Sequence, residues 1–68
     1  MKSKLPQRLK MLRERDGISQ AKLAQALSVS VSFIAEIEMG RSSVSTELLI
    51  NLSEFFAVST DYLLGLVD

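Results

Sequence analysis

The residue types that carry out covalent chemistry are nearly absent from this chain. It has no His and no Cys, hence no imidazole base, no thiol nucleophile and no soft ligand for a transition metal. Serines are abundant, but a serine nucleophile needs an activating base, and every Lys falls within the first 22 residues. A zinc site would have to be built from carboxylates alone. No catalytic residue, no cofactor and no metal are therefore expected. What remains is hydrogen bonding and charge: Arg13 and Glu38, the pair Ser19 and Gln20, Ser30, and the run Arg41, Ser42, Ser43.

The formal net charge is zero, yet the charges are segregated. Residues up to Lys22 carry seven basic and two acidic groups, and the remainder carries Arg41 against six carboxylates. Such asymmetry suggests an end that faces a polyanion, with Lys2, Lys4, Arg8 and Lys10 supplying long-range attraction. At 68 residues and 47% hydrophobic, the chain is too apolar for a disordered tail and too short for a deep catalytic cavity. It has neither a secretory-type apolar stretch at its start nor a span long enough for a membrane, so a cytoplasmic location and no membrane partner are expected.

These polar groups must be positioned by short helices. Leu5, Leu9 and Leu12 recur at helical spacing, Pro6 suits a first turn and Gly17 a left-handed stop, which predicts a helix over 6–16. Ser19 caps a second helix over 20–27 with Leu23, Ala24 and Leu27 on one face, and Ser30 caps a third over 31–39 with Ile34 and Ile37 inward and Gly40 at its end. Ser45 caps a fourth over 46–56, with Leu49, Leu52 and Phe56 sharing a face flanked by Leu48 and Phe55. Ser59 caps a last helix over 60–64. The expected architecture is all-α, a compact five-helix bundle forming one domain over 1–68, with a core over 5–65 around Leu9, Leu12, Leu23, Leu27, Ile34, Ile37, Leu49, Leu52 and Leu63. Helices this short barely form alone and must be held by packing.

Only Ser28 and Val29 separate the second helix from the cap of the third, so the two must cross steeply, as in a helix-turn-helix spanning 19–40. Ala24 allows the close approach, and Val29, Ile34 and Ile37 fill the crevice behind the turn. The combination of Leu9, Leu12, Arg13, Gly17, Ser19, Gln20, Leu23, Ala24, Leu27, Val29, Ser30, Ile34, Ile37, Glu38 and Gly40, continued by Val58, Ser59, Asp61, Tyr62, Leu63, Leu64 and Gly65, resembles the phage repressor/Cro-type (XRE) helix-turn-helix family over about residues 5–65.

That resemblance implies a lambda repressor-like DNA-binding domain whose third helix enters the major groove of a palindromic operator, in a dimeric transcriptional repressor of phage or prophage type. It implies base-facing roles for Val31, Ser32, Ala35 and Glu36. Gln20, Ser30, Arg41, Ser42 and Ser43 would face phosphates, and an Arg13–Glu38 ion pair would tie the first helix to the third. Tyr62, Leu66 and Val67 are the expected homodimer contact, because the chain has more large apolar groups than a thin core absorbs.

The sequence departs from the family at two places. Ser28 stands where Gly is usual in a turn that needs positive φ. The base-facing set is unusual as well, offering two apolar groups, one hydroxyl and one carboxylate; Val31 suits a thymine methyl, Ser32 a donor or acceptor, and Glu36 a cytosine amino group. A carboxylate near phosphates is repelled, so Val31, Phe33, Ala35 and Glu36 also fit a second reading: a protein-interaction or antitoxin-like module on the same scaffold, with a protein partner in place of DNA readout. Activator against repressor, and whole regulator against domain of a longer one, are left open by these residues.

Overall fold

The computed structural model describes residues 3–68; Lys2 lies outside them. Five helices are present among the described residues, with no strand: α1 (Leu5–Arg15), α2 (Gln20–Leu27), α3 (Val31–Glu38), α4 (Thr46–Phe56) and α5 (Thr60–Leu64). The all-α helix-turn-helix expectation holds. The first and third helices shift by a residue at their ends: Leu5 opens α1 ahead of Pro6, and Met39 and Asp16 are caps rather than helical positions.

One rule starts four of the helices and another ends all five. Ser19, Ser30, Ser45 and Ser59 each sit in an extended conformation, and each hydroxyl oxygen accepts a hydrogen bond from the backbone N–H three residues on, at Lys22, Phe33, Leu48 and Tyr62. This satisfies one otherwise orphaned donor per helix. Gly17, Ser28, Gly40, Ala57 and Gly65 are left-handed, with φ of 68°, 58°, 75°, 56° and 82°. After each, the chain closes a pair of bonds back into the helix, as where Val29 N–H donates to Ala24 C=O at 3.0 Å and Ser28 N–H to Gln25 C=O at 3.3 Å. The residue after the left-handed one is apolar at Ile18, Val29, Val58 and Leu66, and is Arg41 only after α3.

The core is formed by Leu5, Leu9, Leu12, Leu23, Ala24, Ile34, Ile37, Leu48, Leu52, Phe56 and Leu63. Two expected members, Leu27 and Leu49, are half-buried and pack against its rim. On α4 it is Leu48 that turns fully inward, because Leu48, Leu52 and Phe56 follow one another at intervals of four and form the stripe facing α2 and α5. Ala24, on α2, is 2% exposed, and α2 packs closely on α3. α1 packs on both α3 and α5, so the first helix joins the helix-turn-helix to the end of the chain.

Candidate nucleic-acid interface

Arg13 projects from α1, Glu38 ends α3 and Gln20 begins α2; the fold brings all three together. Arg13 Nε donates to Glu38 Oε2 at 2.7 Å and Nη2 to Oε1 at 3.0 Å, a two-pronged pair, while Nη1 reaches the Ile18 carbonyl at 2.9 Å. Gln20 Nε2 adds a bond to Glu38 Oε1 at 3.1 Å. The two charged side chains are 12% and 4% exposed. Burial pushes the Glu38 carboxyl up, but hydrogen bonds from Arg13 and Gln20 and the charges of Arg13 and Lys10 outweigh it and hold it below the usual carboxylate range. The Arg13 guanidinium is raised, chiefly by its bond to Glu38. The expected ion pair is therefore present, with a third member that residue spacing alone did not indicate: Gln20 is held by Glu38 and not only turned outward.

This network fixes the start of α2 against the end of α3 and leaves one side of α3 open. Val31 is 46% exposed, Ser32 and Glu36 are exposed, and Ala35 is half-buried. Ser30 Oγ is engaged as an acceptor by the α3 cap, and its hydroxyl proton is free to donate outward. After α3, Arg41 and Ser43 are exposed and Ser42 is half-buried, with Ser42 Oγ 3.5 Å from Glu36 Oε1. Beside this turn an open groove of about 430 Å³ runs to the start of α1, lined by Ser3, Pro6, Gln7, Ser42 and Ser43 among others.

Near the start of α1 the structure places residues differently from the charge pattern. Arg8 does not reach into solvent. Its Nη1 donates to the carbonyls of Tyr62 and Val67, both at 2.7 Å, and its guanidinium stacks 4.1 Å from the Tyr62 ring centre. Asp68 is 4.0 Å away, and the Arg8 side chain is 12% exposed. Tyr62 is half-buried under it; Leu66 (67%) and Val67 (49%) are exposed in the segment that follows α5, and Met11 (48%) lines a shallow groove with Arg8, Tyr62 and Asp68. Met11 was not expected here; its position on α1 carries no signal until α5 is placed. Lys4 is exposed, and its backbone N–H donates to the Leu64 carbonyl at 3.1 Å. No group of ligands able to hold a metal occurs among the described residues, and no helix there is long and apolar enough to cross a membrane.

Known proteins share this fold. A profile of the helix-turn-helix family matches residues 9–63. The HTH-type transcriptional regulator ImmR of Bacillus subtilis is 36% identical over 61 residues, which is 90% of this chain and 48% of that protein; the chain thus spans about half the length of this relative. Among solved structures, a transcriptional regulator from Listeria innocua superposes with a TM-score of 0.91 at 26% identity, over 100% of this chain and 64% of that one. The restriction-modification controller protein C.AhdI from Aeromonas hydrophila does so with a TM-score of 0.80 at 30% identity, over 90% and 92%. With the Arg13–Glu38 tie, four serine caps and a tight α2–α3 crossing all in place, the chain belongs to the helix-turn-helix family, of the phage repressor/Cro type.

Proposed function

We propose that the protein is a sequence-specific, double-stranded DNA-binding transcriptional regulator, acting in the cytoplasm as a dimeric repressor of phage or prophage type and carrying no enzymatic activity. The observation that carries this reading is the Arg13–Glu38–Gln20 network, which locks α2 and α3 into one rigid unit and leaves Val31, Ser32 and Glu36 exposed along α3. α3 enters the major groove, and Val31, Ser32, Ala35 and Glu36 face the bases. Gln20, Ser30, Arg41, Ser42 and Ser43 meet phosphates, which set position and not sequence. The regulators named among its relatives support the assignment.

Two copies joined through Tyr62, Leu66 and Val67 would read half-sites about 34 Å apart, one turn of DNA. The test is selection of duplexes from a random pool at low salt. Recovery of an inverted repeat is the expected result, with Gln20→Ala and Arg41→Ala weakening binding to every recovered sequence alike and lowering its salt dependence for Arg41→Ala by about one unit. Unchanged affinity in both variants would refute the docking.

A second reading, the protein-binding or antitoxin-like module, is favoured by the exposure of Val31 (46%) and Met39 (56%) on and just after α3. Phe33 is half-buried and packs on the core, so Val31→Ser tests this reading without disturbing the fold. Loss of a tight protein complex in that variant, with no enrichment of any duplex by the parent protein, would favour it.

A further inference from the structure

The exposed side of α3 carries a single charge, and its sign is wrong for a phosphate surface. Glu36 lies one turn beyond Ser32 on that side. Among the described residues no cation approaches its carboxylate within 4.0 Å. The chain leaving α3 closes on its backbone as the other helices do, the Arg41 N–H donating to the Glu36 carbonyl at 2.9 Å, and Ser42 Oγ lies 3.5 Å from Oε1. Glu36 is thus a carboxylate with no counter-charge in contact among the described residues, on a side of the helix whose other members, Val31, Ser32 and Ala35, are small or apolar.

An ionised carboxylate only accepts hydrogen bonds. In the major groove the donors are the cytosine N4 and adenine N6 amino groups. Adenine sets its N7 acceptor beside that amino group, where it would oppose the second carboxylate oxygen; cytosine sets a C–H there. Guanine O6 and N7 and thymine O4 offer only acceptors. We propose that Glu36 is a specificity-determining residue that selects cytosine at one position of each half-site. The inference rests on the DNA-binding reading above and names the base that this reading leaves open. Its physical character is exclusion: facing any acceptor, Glu36 is desolvated without a partner, and near phosphates it is repelled, so it weakens wrong complexes more than it strengthens the right one.

The experiment is duplex selection with the full chain and its Glu36→Gln and Glu36→Ala variants, each first melted to confirm folding. The parent should recover cytosine at one position per half-site with about 5- to 10-fold discrimination, the low end of the range for a good bidentate base contact. Glu36→Gln keeps the shape and removes the charge; it should turn that position to adenine, whose N6 and N7 match a carboxamide, and bind unrelated sequences more tightly than the parent does. Glu36→Ala should leave the position without preference. An inverted repeat recovered by the parent, with the same base at every position in both Glu36 variants, would overturn the inference and leave the regulator standing. No enrichment by the parent would overturn both.

Discussion

At the scale of single residues, two positions hold a conformation that their side chains disfavour. Ser28 and Ala57 are left-handed at φ of 58° and 56°, where an L residue loses about 1–2 kcal/mol relative to its ordinary conformations. Ser28→Gly and Ala57→Gly should each stabilise the fold by about 0.5–1 kcal/mol, the gain being partly offset by the greater freedom of Gly in the unfolded chain. Thermal melts check this, at about 4–8 °C per kcal/mol for a domain this size; a lower melting temperature in Ala57→Gly would contradict it. The two sites also differ in what the sequence reveals. Ser28 is flagged by its place in the helix-turn-helix resemblance, whereas Ala57 carries no mark, because a methyl group neither favours nor advertises positive φ. The four serine caps are legible for the opposite reason, since the hydroxyl itself makes the bond.

At the scale of elements, three helices meet at the Glu38 carboxylate. Removing one partner of this partly buried pair leaves the other charge without compensation, and Glu38→Ala should cost about 1.5–3 kcal/mol. Arg13→Met with Glu38→Leu should cost less than the sum of the two single changes, which a double-mutant cycle by denaturant melts will show. The pH dependence has a definite sign. The Glu38 carboxyl is held below its ordinary value, so its contribution is fully present above about pH 4.5 and is lost as pH falls from there through the lowered folded value. Glu38→Gln should flatten that acid limb of the stability profile; an acid limb as steep as the parent's would exclude Glu38 as its source. The Arg13–Glu38 tie was legible by resemblance. Its Gln20 member was not, because a carboxamide on an exposed first turn looks the same whether it meets water, phosphate or a neighbour. Leu48 and Leu49 illustrate the same limit within one helix: adjacent leucines both satisfy an apolar stripe, and only the placement of α2 and α5 decides between them.

At the scale of the whole molecule, the halves of opposite charge do not map simply onto a basic face. Arg8 is withdrawn from solvent by carbonyls 54 and 59 residues away. Backbone acceptors leave no trace in residue type, so this could not be read from composition or spacing. What they hold in place is the exposed rim that Leu66 and Val67 form just after Tyr62 and α5. If this rim joins two copies, Leu66→Glu should shift sedimentation toward the monomer, weakening association about tenfold or more, and should reduce affinity for an inverted repeat while sparing that for a single half-site. A dimer of unchanged strength would place the contact elsewhere. The hold that Arg8 keeps on Tyr62 and Val67, with the bond from Lys4 N–H to the Leu64 carbonyl, also sets how the molecule breathes. The beginning of α1 and the segment after α5 cannot fray independently; the amide protons of Lys4 and Leu66 should exchange with deuterium through one shared opening. Whatever grips Leu66 will therefore slow exchange at Lys4, so that a contact at one end of the sequence is felt as protection at the other.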